Sequence, residues 1–188
     1  MLNIKNIFFK KKILIYGIGK SGLSAYNFLK KSTQIHIYDD NKIYFNNNQI
    51  KKDLIKFKEI IKIDFDHIIV SPGINIRKCK LSGFLKKNSN KIKTDLDIFI
   101  SVYGNNKNVT ITGTNGKSTT AKMVYEVLKQ ENIDARLVGN IGNPILLEKN
   151  ITSKTVFIIE ASSYQIEYSK NFKCNIAAIL NISPDHLE

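Results

Sequence analysis

Short apolar runs alternate with helical stretches along this chain. Lys12–Gly17 (KILIYG) is almost continuously apolar and predicts a buried first strand. Ser21–Lys31 has helical spacing, with Leu23, Tyr26, Phe28 and Leu29 on one side. Gln34–Tyr38 alternates and stops at Asp39-Asp40, a second strand. Phe65–Val70 (FDHIIV) is a third, ended by Ser71-Pro72-Gly73. Thr94–Val102 reads as a short helix with Leu96, Ile98, Phe99 and Ile100 apolar. Asn108–Thr112 is a strand and Lys117–Glu131 a helix with Met123, Val124, Val127 and Leu128 at helical spacing. Asp134–Val138, Thr155–Ile159 and Asn175–Leu180 are further strands. Residues 41–62 resist assignment beyond a helix or strand near Leu54–Ile61, and residues 75–93 read as polar and irregular. Strands alternating with helices predict an α/β fold with mostly parallel sheets. The change of character near residue 93 suggests two units, 1–93 and 94–188.

The 188 residues are 43% hydrophobic, enough for a packed core and against wholesale disorder. No apolar run approaches the roughly 18–20 residues that cross a bilayer. Lysines precede the run Ile13–Tyr16, but that run is too short for a secretory signal and glycines follow it. A cytoplasmic protein with no membrane partner is expected. Cys79 and Cys174 make no disulfide framework, and with three histidines a cysteine/histidine zinc site is not expected.

The net charge is +13, which raises the question of nucleic acid. All but two of the 29 basic residues are lysine, the exceptions being Arg77 and Arg136. Lysine, isoleucine and asparagine, the residues A- and T-rich codons favour, dominate throughout. The charge is explained as a solvated lysine surface, since base-reading proteins lean on arginine, and no nucleic-acid partner is expected. The excess positive charge would steer phosphorylated substrates.

Several strand ends carry the candidate chemistry. Asn108–Thr120 (NVTITGTNGKSTT) is a strand, a glycine-bearing loop and a helix start. Gly113 and Gly116 permit positive φ, so N–H groups of Thr114, Asn115 and their neighbours can approach phosphate oxygens. The helix N-terminus at Lys117-Ser118-Thr119 adds unpaired donors. Lys117 would reach β/γ-phosphates and the Ser118 hydroxyl would meet Mg2+. The loop is shorter than GxxxxGK[ST], with Ile111 where the first glycine would fall. Gly17–Gly22 (GIGKSG), with Asp39 and Asp40 at the next strand end, fits a phosphate near the first helix and a ribose or base near Asp39. That motif alone does not separate NAD from a UDP-sugar. Val156–Gln165 (VFIIEASSYQ) delivers Glu160 to a strand end, where a carboxylate can hold Mg2+, followed by Ser162, Ser163 and Gln165. Leu137–Pro144 places Asn140 in a polar turn, and Ile176–Glu188 ends with Asn181, Asp185 and His186.

Taken in order, GIGKSGLS, SPGI (Ser71–Ile74), DLDIF (Asp95–Phe99), TGTNGKST (Thr112–Thr119), GNIGNP (Gly139–Pro144), EASSYQIE (Glu160–Glu167) and LNISPDHLE (Leu180–Glu188) resemble the Mur ligase family. These are the ATP-dependent amide ligases of peptidoglycan precursor synthesis, which serve cell-wall biogenesis, cell shape and division. The resemblance implies a Rossmann-like N-terminal domain followed by the first part of a P-loop-type ATPase domain. It implies ATP and Mg2+ as cofactors, and UDP-N-acetylmuramoyl-L-alanine and D-glutamate as the reactants, in a monomeric enzyme. Gly19, Lys20, Ser21, Asp39, Asp40, Ser71, Pro72 and Gly73 would bind the UDP part, with Asn140 and Ser162 near the muramoyl-alanine end. Gly113–Thr119 would bind ATP, with Lys117 on the γ-phosphate. Ser118 and Glu160 would hold one Mg2+ and His186 a second, making Lys117 and His186 the catalytic residues. The family carries a longer central domain and a third domain after the position of Glu188. The 188-residue chain alone is therefore expected to lack ligase activity, and to expose apolar surface at an unpaired sheet edge. A non-catalytic UDP-sugar-binding fragment, a sister ligase of other amino-acid specificity and an NAD-dependent oxidoreductase are the alternatives.

Overall fold

The computed structural model describes residues 7–41 and 48–184. The elements run β1 (Lys12–Tyr16), α1 (Lys20–Leu29), β2 (Gln34–Tyr38), α2 (Phe57–Ile60), β3 (His67–Val70), α3 (Ser82–Lys87), β4 (Ile92–Lys93), α4 (Asp95–Tyr103), β5 (Asn108–Thr112), α5 (Lys117–Gln130), β6 (Ala135–Gly139), β7 (Val156–Glu160), α6 (Ser163–Tyr168) and β8 (Ile176–Ile179). They form two four-stranded sheets, ordered β2-β1-β3-β4 and β6-β7-β5-β8, and every pairing is parallel. The α/β fold read from the pattern is present.

Central strands are covered on both faces, so they read as unbroken apolar runs. In β1, Ile13, Leu14, Ile15 and Tyr16 are all fully buried, and in β7 Phe157, Ile158 and Ile159 are likewise. Because all strands are parallel, their C-terminal ends and the loops that follow lie along one edge of each sheet, where ligands of open α/β sheets bind.

The polar segment 75–93 is more ordered than its composition suggests. Leu81 and Leu85 are fully buried there and join the core of β1 and β3, with Phe84 packed against it. That burial supports α3 despite Gly83 and flanking lysines, whose local pattern obscures it. Segment 41–62 resolves, in its described part, into a 3-10 turn at Lys51–Asp53 and α2; residues 42–47 lie outside the described residues.

Helix α4 joins the two halves. Thr94 caps its start, accepting from Leu96 N, while Asp97 accepts from Thr94 N in a capping box. Asp97 is fully buried and also accepts from Lys170 N and Asn171 N, at 2.9 and 2.8 Å. One apolar core runs from β1 and α1 through Leu96, Ile98 and Phe99 to Ile145, Phe157 and Ile159. Phe99 meets Phe157 edge to face, with centroids 4.8 Å apart.

The outermost strand, β8, leaves Ile176 and Ile179 exposed, and Ile182 follows at 86% exposure. On α5, Ala121 is buried, whereas Met123 and Val127 are exposed. Their helical spacing is real, but no described element covers that face.

Candidate functional site

The first strand-to-helix turn is packed backbone on backbone. Gly17 has φ +89, and a Cβ on Gly22 would lie 1.9 Å from Gly17 O. Only glycine at position 22 lets α1 sit this close to the turn. The Ser71 hydroxyl after β3 donates to Gly17 O at 2.6 Å. Asp39 lies after β2 and accepts from Ile18 N at 2.7 Å and from Asn41 N at 2.7 Å. The acidic residue that the dinucleotide pattern would place on a ribose thus holds the glycine turn through one oxygen and its own loop through the other.

Above this turn is a cavity of about 420 Å³. Gly19, Lys20, Ser21, Asp39, Ser71, Pro72 and Gly73 line it from the first half, and Asn140 with its loop neighbours lines it from the second. The fold therefore gathers nearly all the residues that the sequence reading assigned to UDP, and adds Asn140. Asp40 lies apart: its carboxylate accepts from the Tyr16 hydroxyl at 2.6 Å and does not line this cavity. Burial, with Asp40 beside it, pushes the Tyr16 phenol far up, so it stays a neutral donor.

The second loop, after β5, has Gly113 at φ +141 and Gly116 at φ +83. The Lys117 ammonium folds back and donates to Gly113 O and Thr114 O, at 2.7 and 2.8 Å. Ser118 Oγ donates to Glu160 Oε2 at 2.8 Å, and Glu160 is buried at the end of β7. Thr119 is exposed on the same first helical turn. A cavity of about 580 Å³ is lined by Gly113, Thr114, Lys117, Ser162, Tyr164 and Asn181 among others. Ser162 thus faces the loop after β5, not the cavity above the first turn.

The segment after β8 clasps this loop. Asn181 O accepts from Thr114 N at 3.0 Å. The Asn181 amide accepts from Asn115 N at 2.9 Å and donates to Asn115 O at 3.0 Å. Thr114 Oγ1 and the Ser183 backbone exchange two further bonds. The sequence marked Asn181 only as a strand end; its role depends on the β5–β8 register, in which Thr112 faces Ile179. His186 and Asp185 lie outside the described residues, as does the lysine-bearing stretch 1–6.

The donor set fits a magnesium nucleotide. A hydroxyl and a carboxylate, both hard oxygen donors, already touch each other at the foot of a loop built on two positive-φ glycines, with a lysine ammonium beside it. Among the described residues no cluster of three His, Cys, Asp or Glu side chains is placed to hold a metal by protein ligands alone. No helix among the described residues is long and apolar enough to cross a membrane.

Residues 11–92 match the Mur ligase MurD-like N-terminal domain, and residues 111–188 match the Mur ligase middle domain. The chain is 36% identical over 185 residues to a UDP-N-acetylmuramoylalanine–D-glutamate ligase of Rickettsia felis, covering 95% of this chain and 40% of the relative. It is 40% identical over 191 residues to the ligase of the same name from Buchnera aphidicola, covering 96% of this chain and 42% of the relative. The chain thus spans about 40% of the length of such relatives. Among solved structures, the murein peptide ligase of Neisseria meningitides aligns with a TM-score of 0.54 at 17% identity, over 95% of this chain and 62% of that one. UDP-N-acetylmuramate-alanine ligase from Thermotoga maritima aligns with a TM-score of 0.52 at 20% identity, over 94% and 43%. These two likenesses speak for the fold. With its first half matched by one domain of the family and its second half by the next, the chain belongs to the Mur ligases.

Proposed function

We propose that residues 1–93 bind the UDP part of UDP-N-acetylmuramoyl-L-alanine and that residues 94–188 bind ATP and Mg2+, in an enzyme that adds D-glutamate to that substrate. The observation that carries this reading is the backbone junction between the loop lining the first cavity and the strand end that carries Glu160. Gly139 pairs in register with Glu160, and Asn140 N donates to Glu160 O at 3.0 Å. The loop that closes the UDP cavity is thereby fixed to the strand end that carries the magnesium carboxylate. A nucleotide sugar lying on the Gly19–Ser21 turn would extend past Asn140 towards the phosphate loop.

The chemistry suits a two-step ligation. The substrate carboxylate attacks the γ-phosphorus of ATP, giving an acyl phosphate and ADP. The amine of D-glutamate then attacks the acyl carbon and phosphate leaves. Two anions must first be brought together, which requires positive charge held in place before the reaction. Lys117 leaves its carbonyl partners to bind the γ-phosphate. Ser118 and Glu160 hold Mg2+, which neutralises phosphate charge when bound. His186 is assigned a second Mg2+ by the family pattern alone. Ser162 orients the muramoyl-alanine end from the phosphate-loop side. The enzyme works as a monomer in the cytoplasm.

The test is calorimetric. The chain is titrated with UDP-N-acetylmuramoyl-L-alanine and, separately, with Mg-ATP, with NAD as the control. Saturable binding of the first two and none of NAD is the expected result; Asn140→Ala should weaken the nucleotide-sugar substrate more than UDP itself. NAD binding at the Gly17–Gly22 turn would replace this reading with an oxidoreductase. The amino acid is read from phosphate release by the complete protein that carries these residues, with D-glutamate compared against L-alanine.

A further inference from the structure

A third cavity, of about 590 Å³, opens between the Ile76–Ile92 segment of the first half and Glu167–Lys170 at the end of α6. It shares no residue with the UDP cavity and only Glu167 with the phosphate-loop cavity. Its floor is core: Leu85 and Ile92 are buried, and Ile76 and Tyr168 pack against the same cluster. Its rim is cationic, with Arg77, Lys86 and Lys170 against one carboxylate, Glu167, among the described residues. The Arg77–Glu167 pair is long, 3.4 Å, and both side chains are well exposed. Such a pair contributes little to stability, so the guanidinium can be drawn to a better anion at small cost. Burial, together with Glu167, raises the Tyr168 phenol, which keeps it a neutral donor beside the cations.

An apolar floor of this volume under a few convergent polar groups is the usual form of a small-molecule site. The excess of two positive charges at the rim sets the sign of the ligand. We propose that this cavity binds a small organic anion, a compact apolar body carrying a single carboxylate, sulfonate or phosphate group. The apolar part lies on Leu85, Ile92 and Tyr168, and the anionic end meets Arg77, Lys86 and Lys170. The proposal is independent of the ligase reading, because no residue assigned to UDP, ATP or Mg2+ lines the cavity.

The probe is 2-naphthoate, titrated into the 15N-labelled chain and followed by amide chemical shifts, with the uncharged 2-naphthamide as its control. Saturable shifts are expected at Gly83, Ser89, Tyr168 and Lys170, with the amide bound at least roughly tenfold more weakly. The double variant Lys86→Glu with Lys170→Glu should lose roughly tenfold in naphthoate affinity while keeping a dispersed spectrum. Gly83→Phe should block binding outright; a Cβ at position 83 meets open space, so the ring can enter the cavity without a backbone clash. Lys117→Ala should change nothing here. Equal affinity for the amide, unchanged affinity in the charge-reversed variant, absence of saturation, or shifts confined to the exposed apolar residues of α5 and β8 would each overturn the proposal.

Discussion

Asp95 at the start of α4 accepts a hydrogen bond from the Gln165 amide of α6 at 3.0 Å, and both side chains are buried. Gln165 in turn completes the capping box of α6, its Oε1 accepting from Ser162 N at 3.1 Å. The Ser21 hydroxyl and the Leu96 N–H also favour the Asp95 carboxylate. One buried carboxylate therefore ties the turn at Gly19–Ser21 to the helix that Ser162 caps. Burial dominates its titration and raises its pKa above the ordinary 3.8. The native state then holds this proton more tightly than the unfolded chain. The resulting stabilisation is complete below 3.8 and is lost as pH rises through the folded value. Asp95→Asn keeps an acceptor for Gln165 and cannot ionise. Urea unfolding should show its stability relative to the parent rising as pH rises through the folded value of Asp95. Asp95→Ala, which strands the Gln165 amide, should lose about 1–3 kcal/mol.

Lys117 and the Ser118–Glu160 pair are predicted to act at different points. Lys117→Ala removes a charge-assisted contact to phosphate and should weaken Mg-ATP by about tenfold to hundredfold by calorimetry. Ser118→Ala should instead narrow the gap between ATP affinity with and without Mg2+, because the hydroxyl serves the metal. A Ser118→Ala variant that keeps the full magnesium effect would remove Ser118 from that role.

Gly22→Ala forces a methyl to within 1.9 Å of Gly17 O. Backbone cannot yield as a side chain can, so the turn or α1 must shift. A loss of about 1–3 kcal/mol is expected in thermal unfolding, together with lost UDP binding. Gly83→Ala, in open space within a helix, serves as the control and should be neutral or slightly stabilising.

His36 and His67 each have a buried ring nitrogen without a hydrogen-bond partner, Nε2 and Nδ1 respectively. Burial is the main cause that lowers both below the ordinary 6.5, with Lys12 opposing charge on the first and Lys93 on the second. The unfolded chain then binds these protons more readily than the native state. Stability from this source is present above 6.5 and declines as pH falls through the folded values. The double variant His36→Phe with His67→Phe should flatten the fall in urea midpoint between pH 7 and pH 5. An unchanged slope would place the acid sensitivity elsewhere.

The β8 edge gives a prediction about handling. Ile176, Ile179 and Ile182 are exposed beside an edge strand, an arrangement that invites strand pairing between molecules. Ile179→Lys with Ile182→Lys should raise the soluble concentration of the chain and suppress concentration-dependent light scattering. Ile176 is left in place to preserve the start of the strand.

Strands and the two glycine turns were legible because their signals are local. Gln34–Tyr38 and Asn108–Thr112 coincide with the observed strands residue for residue, and the other expected strands fall within one or two positions, while the two-residue β4 lies in the stretch read as irregular. Apolar runs that are buried on both faces have one way to be satisfied in a parallel sheet. Helix α3 escaped notice because SGFLKK has no strong local preference; it is a helix since Leu81 and Leu85 are drawn into the core. Met123 and Val127 mark the opposite limit, since periodicity says which residues share a helix face and not whether anything covers it.

The sequence by itself determined the α/β class, most of the strands, and the two glycine turns with Lys117, Ser118 and Glu160, all of which rest on neighbours along the chain. Tertiary structure decided which strand ends meet. It placed Asn140 against the UDP turn, turned Asp39 onto Ile18 and Asp40 onto Tyr16, and locked Asn181 onto Asn115. It also joined Asp95 to Gln165 across 70 residues. These contacts follow from strand register and packing, and the free energy that selects them resides in the whole core and not in any local segment.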